Sequence, residues 1–488
     1  MLPLFVVLPL GCAFFIPLFS KIKEEFAKII GVFCAAGLFI LSYIVLFKVR
    51  SYPVVYAVGG WKPPFGIALV LDGFSGLLLV VVNLIGFVSI IYSFSYIKRY
   101  SNPSLYYTLF SLLLAGLNGV VITGDLFNLF VFLEITSIAS YALVAFGTEK
   151  EELEAAFKYL VLGNVASIFI LLAIALIWAR ISSLNMADIA LSLEIGSYKK
   201  LISFALGLFI VGFGLKSALV PFHGWLADAH PAAPAPISAM LSGVVIKTIG
   251  VYALARVLFN IIGFNPLISD ILMGLGILSM LVGVLLAIGQ WDFKRLLAYH
   301  SVSQIGYVVF GLGLGNSLGI IGGLFHLFNH SIFKSLLFLN SGAVEYATGT
   351  RDLNRMGGLS DNMPVTANTS LIASLSIAGV PPFCGFFSKL LIIIASFQKG
   401  AIIGGIICVL VSMITLASFL KVQKYAFRRK EPKMEAKEVA FSMKVAMVIL
   451  AIICVVAGLG FNHFVNFIIK PAVDVLLAGK NYAISILR

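Results

Sequence analysis

Five ionisable residues lie where a chain this apolar has little reason to hold any. Glu134 sits in LFNLFVFLEITSIASYALVAF, Lys216 in FGLKSALVPFHGW, Lys247 in SGVVIKTIGVY, Lys334 in HSIFKSLLFL and Lys389 in CGFFSKLLIII. Each is flanked on both sides by apolar or small residues, or stands beside a proline break. A charge at the centre of a bilayer costs about 2.5–3.5 kcal/mol on insertion scales, so such residues line polar paths. His326, His330 and Lys334 recur at i, i+4 and i+8 and share one helical face. Imidazole takes and gives protons near neutral pH, and desolvation loosens the hold of a lysine on its proton. The set therefore reads as a proton relay. A metal site at His326 and His330 lacks both a Glu after the first His and a third ligand. One mid-span carboxylate among four lysines also suits protons better than dehydrated sodium. Other charges have plainer explanations. Lys98, Lys158, Lys200 and Lys399 stand near span ends and can snorkel. Asp72, Asp125, Glu154, Asp228, Asp270 and Glu345 lie at span ends, where capping or solvation accounts for them.

The elements that must carry these groups follow from composition. Of 488 residues 60% are hydrophobic and 11% charged, with mean hydropathy +1.06, which indicates an all-α polytopic membrane protein. With about 20 apolar residues needed per span, the sequence accommodates roughly fourteen transmembrane helices. They start near Leu2, Ala27, Ala68, Leu105, Leu126, Leu153, Leu201, Ala235, Leu267, Lys294, Leu318, Met363, Ala401 and Phe441. Short connections leave no mass for a nucleotide fold or a soluble catalytic domain. The first span, LPLFVVLPLGCAFFIPLF, lacks a basic n-region and a small-residue cleavage site, so it is expected to be a retained helix. The five cysteines show no CxxC and sit in apolar runs, so neither a metal nor a redox cofactor is expected.

A net charge of +13 does not point to nucleic acid, because the basic residues cluster in connections. These are Lys21, Lys23 and Lys28, Lys98 and Arg99, Lys294 and Arg295, Arg351 and Arg355, and the run KVQKYAFRRKEPKMEAK from Lys421. All fall in odd-numbered connections. The positive-inside rule then makes those connections cytoplasmic and puts both termini outside the cell membrane.

Two interrupted spans echo each other. VPFHGW (Val220 to Trp225) resembles PPFCGFF (Pro381 to Phe387), in the seventh and twelfth spans, with breaks at Pro221 and at Pro381 and Pro382. Elements an odd number of spans apart cross the membrane in opposite directions. Lys216 precedes its break and Lys389 follows its own, so both lysines fall in the same half of the membrane. This pattern predicts two inverted five-helix repeats with ion sites at broken helices. The expected organisation is a three-helix segment over 1–104, a first repeat over 105–262 (helices 4–8), a second over 263–430 (helices 9–13), and a C-terminal helix and tail over 431–488. A broken helix frees carbonyls and admits water, so a lysine beside it can change protonation.

These segments resemble the antiporter-like subunits shared by respiratory complex I, membrane-bound hydrogenases and Mrp-type multisubunit cation/proton antiporters, over nearly the whole chain. DLFNLFVFLEITSIASYAL resembles the family's fifth helix and implies its key glutamate at Glu134. FGLKSALVPFHGWLADAHPAAPAPISAMLSGVVIKTIGVYALAR implies the broken-helix lysine at Lys216 and the central lysine at Lys247. HLFNHSIFKSLLFLNSGAV with RDLNRMGGL implies a relay at His326, His330 and Lys334, and GVPPFCGFFSK implies the exit lysine at Lys389. YHSVSQIGY is most similar to the D-type member of Mrp complexes, and DAHPAAPAP to hydrogenase-type members. The resemblance implies a proton-translocating subunit whose half-channels are joined by this Glu/Lys/His line. The resemblance implies no catalytic centre of its own. The placement of the mid-membrane acid Glu134 and of Lys216 beside its break predicts a pair that opens and closes as a switch, the alternative being a static ion pair. The implied partners are other membrane subunits, with or without a hydrogenase-like peripheral arm, and any sodium is handled by neighbouring subunits. The alternative, a stand-alone cation/proton antiporter or solute transporter, predicts a roomy polar cavity with substrate-binding groups. A scaffold subunit predicts missing charges, and a redox enzyme predicts cofactor ligands.

Overall fold

The computed structural model describes residues 1–48, 53–195, 199–431, 434 and 436–487. Of the basic run after Lys421, Pro432, Lys433 and Glu435 lie outside the described residues. Among the described residues, nine helices are long and apolar enough to cross a membrane, or ten if the bent pair Phe461–Leu477 and Gly479–Leu487 forms one span. Short polar residues start many of them by accepting from the free N–H groups of the first turn. Asp72 caps Gly73–Tyr96, Asn102 caps Pro103–Ile122, Asp125 caps Leu126–Val144, Asp292 caps Phe293–Gly313 and Asn316 caps Ser317–Thr348.

Two apolar runs do not form one helix each. Lys199–Lys216 and Gly224–Ala232 flank Pro221, while Pro364–Ala378 and Cys384–Gln398 flank Pro381 and Pro382. Proline lacks an N–H and clashes with the preceding turn, so neither run can continue through it. The two breaks make the same hydrogen bonds. Ala218 N donates to Leu215 O, Leu219 N to Gly214 O and Phe222 N to Leu219 O; Gly379 N donates to Ser376 O, Val380 N to Leu375 O and Phe383 N to Val380 O. The offset in residue number is constant. Ala218 and Gly379 hold matching left-handed backbone, at φ 55° and 79°, a conformation that costs nothing for glycine and is disfavoured for alanine.

A second pattern recurs in the same way. Leu126 N donates to Leu184 O and Met186 N to Gly124 O; Phe293 N donates to Arg351 O and Leu353 N to Trp291 O. In each case the residues just before a capped helix pair with the loop beyond the following helix.

At the centre stands Ala235–Gly263, which is buried throughout. It packs among the Gly73–Tyr96, Pro103–Ile122, Lys199–Lys216 and Ser317–Thr348 helices. A helix apolar on all sides belongs in such a core. Over Leu241–Tyr252 its backbone widens to π pitch, a local distortion that tends to occur where side chains do chemistry. Near its end Arg256 pairs with Asp72 at 2.8 Å, and Asn260 donates to the Val475 and Gly479 carbonyls, tying down the C-terminal segment. Burial alone would raise the pKa of Asp72; the adjacent Arg256 guanidinium outweighs it and holds the carboxyl below its ordinary value. Two antiparallel strands, β1 (Val54–Ala57) and β2 (Ala68–Leu71), pair from Val54 opposite Leu71 to Ala57 opposite Ala68.

Candidate functional site: a buried line of ionisable side chains

At the first break, Lys216 is the last residue of its half-helix and its side chain is 1% exposed. Its ammonium donates to Ser137 Oγ at 2.9 Å and stands 3.7 Å from Glu134 Oε1. Glu134 also accepts from Ser167 of the next helix. Glu134 and Ser137 are one turn apart on Leu126–Val144, so one helix face supplies both partners. The break itself is anchored by Ser279 Oγ, which accepts from Val220 N at 3.0 Å, and by Trp225, whose indole donates to the Leu215 carbonyl at 3.0 Å beside Ala218 N.

Lys247, fully buried in the π stretch, turns back on its own helix and donates to the carbonyls of Ser242 and Gly243. Two glycines let neighbours come this close. A Cβ on Gly250 would lie 2.3 Å from Ser217 Oγ, next to Lys216, and one on Gly243 would lie 2.1 Å from Ser335 Oγ, next to Lys334.

On Ser317–Thr348, His326 and His330 lie with ring planes parallel and centroids 6.3 Å apart, as the i, i+4 spacing requires. His326 Nδ1 is 2.9 Å from Ser388 Oγ, and its Nε2 is 3.2 Å from Gln304 Oε1. Both ring nitrogens of His330 and the ammonium of Lys334 are buried without a protein hydrogen-bond partner among the described residues. Buried groups of this kind are normally satisfied by water. Lys389, next to Ser388, donates to Ile377 O at 2.7 Å and Ser412 Oγ at 3.0 Å, and its ammonium lies 4.9 Å from the Tyr307 ring centre. The same Tyr307 ring is 5.4 Å from His326.

The structure thus joins Glu134 to Lys216, and His330 through His326 and Ser388 to the vicinity of Lys389. Lys247 and Lys334 lie on helices that pack against each other, with Gly243 of the first against Ser335 of the second. The stretch between Lys216 and Lys247 is bridged by no direct hydrogen bond among the described residues.

Two further histidines were not singled out from the sequence, and Lys294, Glu345 and Lys399 stand differently from what it suggested. His230 and His300 are fully buried, with no protein partner for any ring nitrogen among the described residues. Each sits in a segment already distinctive as a motif, DAHPAAPAP and YHSVSQIGY. Lys294, counted with the connections, is buried and paired at 2.8 Å with Glu345, and Arg351 stands 3.8 Å from the same carboxylate. Glu345, 19% exposed at the edge of a cavity, is therefore held by Lys294 and Arg351 in addition to being reached by solvent. Lys399 does not merely snorkel, since its ammonium donates to Ser269 Oγ at 2.5 Å and Leu314 O at 2.7 Å. Lys158 matches expectation, exposed and paired with Glu154 and Asp228.

Comparison with known proteins bears on this arrangement. Residues 123–415 match the family described as NADH:quinone oxidoreductase/Mrp antiporter, TM. The chain is 36% identical to the N-type subunit of the NADH-quinone oxidoreductase of Desulforudis audaxviator, across 96% of this chain and 97% of that one. It is 35% identical to the D-type Na(+)/H(+) antiporter subunit of Alkalihalophilus pseudofirmus, across 93% and 91%. Among solved structures, a chain of the Mrp complex from Dietzia sp. superposes with a TM-score of 0.92 at 28% identity, covering 100% of this chain and 99% of that one. A chain of the membrane-bound sulfane sulfur reductase, an archaeal respiratory membrane complex, gives the same TM-score at 31% identity and the same coverage. The chain belongs to the NADH:quinone oxidoreductase/Mrp antiporter transmembrane family.

Proposed function

We propose that this chain is the proton-translocating, antiporter-like membrane subunit of a multisubunit ion-pumping complex. The observation that carries this over a stand-alone transporter is the position of Glu134. Its side chain is 23% exposed on a stripe with Phe127, Val131 and Ile138, all exposed along one face of an apolar span. A carboxylate does not face lipid tails at that depth. A neighbouring subunit that covers the stripe removes the conflict. Relatives named as subunits, and solved counterparts within multisubunit complexes, support the same reading.

Within the chain, Glu134 and Lys216 form the entry pair, Lys247 is the central carrier, His326, His330 and Lys334 relay, and Lys389 is the exit. Paired with Glu134, Lys216 holds its proton; when the pair opens, burial favours release toward Lys247. The recurring hydrogen bonds at the two breaks and at the two loop bridges support fourteen spans with two inverted five-helix repeats, over 105–262 and 263–430, between a 1–104 segment and a 431–488 tail. Arg99, Lys294 and Arg351 line one cavity, so three of the basic connections share one end of the molecule. The positive-inside rule makes that end cytoplasmic and puts both termini outside.

Native purification through a tag on this chain, followed by identification of its companions, tests the reading. Other membrane subunits are expected, and their identity decides between an Mrp-type antiporter and a redox-driven complex. Liposomes holding this chain alone should show no robust cation-coupled proton flux; robust flux there favours the stand-alone transporter.

A further inference from the structure

The basic end of the molecule holds a cavity of about 760 Å³. Tyr96, Arg99, Lys150 and Arg351 line it, and at its inner side stand Lys294 and Glu345. Lys294 Nζ lies 2.8 Å from Glu345 Oε2 and donates to Ala233 O at 3.2 Å, just past the end of the Gly224–Ala232 half-helix. Pro231 lines the cavity as well. The next residue inward along the chain is His230, whose ring is fully buried with neither nitrogen partnered by protein among the described residues.

His230 has a defined far side. Its ring stacks on Phe338 at 4.5 Å between centroids. The Lys334 ammonium lies 5.6 Å from the centre of the same Phe338 ring. Three helices packed around this point carry lysines: Lys334 on Ser317–Thr348, across Phe338; Lys294 on Phe293–Gly313, bonded to the Ala233 carbonyl; and Lys247 on Ala235–Gly263, the helix that begins just after Ala233. A buried histidine whose ring nitrogens bond to no protein group among the described residues gains nothing as a structural anchor; buried polar groups without partners cost stability. It suits a group that accepts a proton on one nitrogen and gives one from the other.

We propose that this cavity is a second proton intake, separate from the Glu134–Lys216 pair, in which His230 carries protons from the Lys294–Glu345 pair to Lys334. The Lys294 ammonium gives a proton, directly or through a bridging water, to one ring nitrogen of His230. His230 passes the proton on its other nitrogen to the Lys334 amine. Lys294 is recharged from cavity water through the Glu345 carboxylate. One proton enters, one is delivered, and no electron moves. Arg351 shares Glu345 with Lys294, so it sets how tightly the carboxylate holds its partner at the mouth.

The proposal rests on the proton-translocating reading, and its test separates the two. Proton uptake is measured in vesicles reconstituted with the whole complex carrying His230→Asn, Glu345→Gln or, as reference, Glu134→Gln. A fourth preparation carries Ser101→Cys, a position that lines the cavity and is exposed. It is labelled with a bulky maleimide before reconstitution, with labelling verified by mass, and wild-type complex receives the same treatment. His230→Asn and the blocked mouth are each expected to lower uptake about tenfold or more, while the treated wild type stays unchanged. Loss with Glu134→Gln alone, together with full uptake in both His230→Asn and the blocked complex, overturns the second intake and leaves the general reading standing. Full uptake in all of them, Glu134→Gln included, overturns both. Should His230→Asn fail to assemble, the labelled Ser101→Cys complex still decides, since it is modified after assembly.

Discussion

Lys216 and Lys389 stand at breaks with the same hydrogen-bond pattern, yet they are held by different chemistry. Lys216 has a carboxylate at 3.7 Å and a serine at 2.9 Å, both from one neighbouring helix. Lys389 has no carboxylate beside it among the described residues; it donates to the Ile377 carbonyl at the C-terminal end of a half-helix and to Ser412. A full opposite charge stabilises an ammonium more strongly than carbonyl dipoles do. The carbonyls at a helix C-terminus still carry partial negative charge, enough to receive a cation without trapping it. On the proposed proton path, the first break is suited to hold a proton until a partner moves, and the second to let it go.

The contrast is broken most directly at its charged end. Glu134→Gln and Lys216→Met are each expected to lower proton transport by about a hundredfold or more while the complex still assembles. The double variant should assemble and remain inactive; recovery of transport there sinks the switching pair. Lys389→Met should lose transport to a similar extent. Its thermal stability should fall less than that of Lys216→Met, because removing Lys389 strands only dipoles, whereas removing Lys216 strands a carboxylate.

A subtler change makes the second half resemble the first. Ser412→Asp puts a carboxylate where Lys389 now meets a hydroxyl, and it should hold the ammonium charged and slow transport about tenfold. An unchanged rate in vesicles would show that release at Lys389 does not depend on its lacking an acid. Smaller still is Ser137→Ala, which removes one neutral hydrogen bond from Lys216 and should change the rate about threefold or less.

The smallest effect is expected at Lys399, outside the line. Lys399→Ala should leave transport unchanged and lower thermal stability by about 1 kcal/mol for each hydrogen bond lost, since its ammonium serves Ser269 and the carbonyls at the end of Phe293–Gly313. A large transport defect there would extend the exit path beyond Lys389.

The apolar helical character of the chain, the breaks at Pro221 and Pro382, and the shared face of His326, His330 and Lys334 were legible in the sequence, because each is a local property. Apolar run length fixes where a helix can cross, proline fixes where it cannot continue, and the 3.6-residue period fixes which side chains share a face. The chemical identity of the buried charges was legible for the same reason: an ionisable residue inside an apolar run is conspicuous wherever it lies.

What only the tertiary structure decided was which of those charges meet. Lys294 looks like one more basic residue in a connection, and Glu345 like a solvated helix end. They become an ion pair at 2.8 Å, with Lys294 buried and Glu345 partly exposed, because the successive helices Phe293–Gly313 and Ser317–Thr348 pack together and bring the start of one against the end of the other. His230 could be read as part of a motif, but not as a ring left without protein partners beside Phe338. Glu134, the most buried acid by sequence, keeps a partly exposed flank, because helix packing rather than hydropathy chooses the face turned outward. Lys247 folds back onto carbonyls of its own π-pitched helix, which no residue pattern announced. Coulomb and hydrogen-bond energies depend on distance and on exclusion of water, and both are set by contacts between residues far apart in the chain.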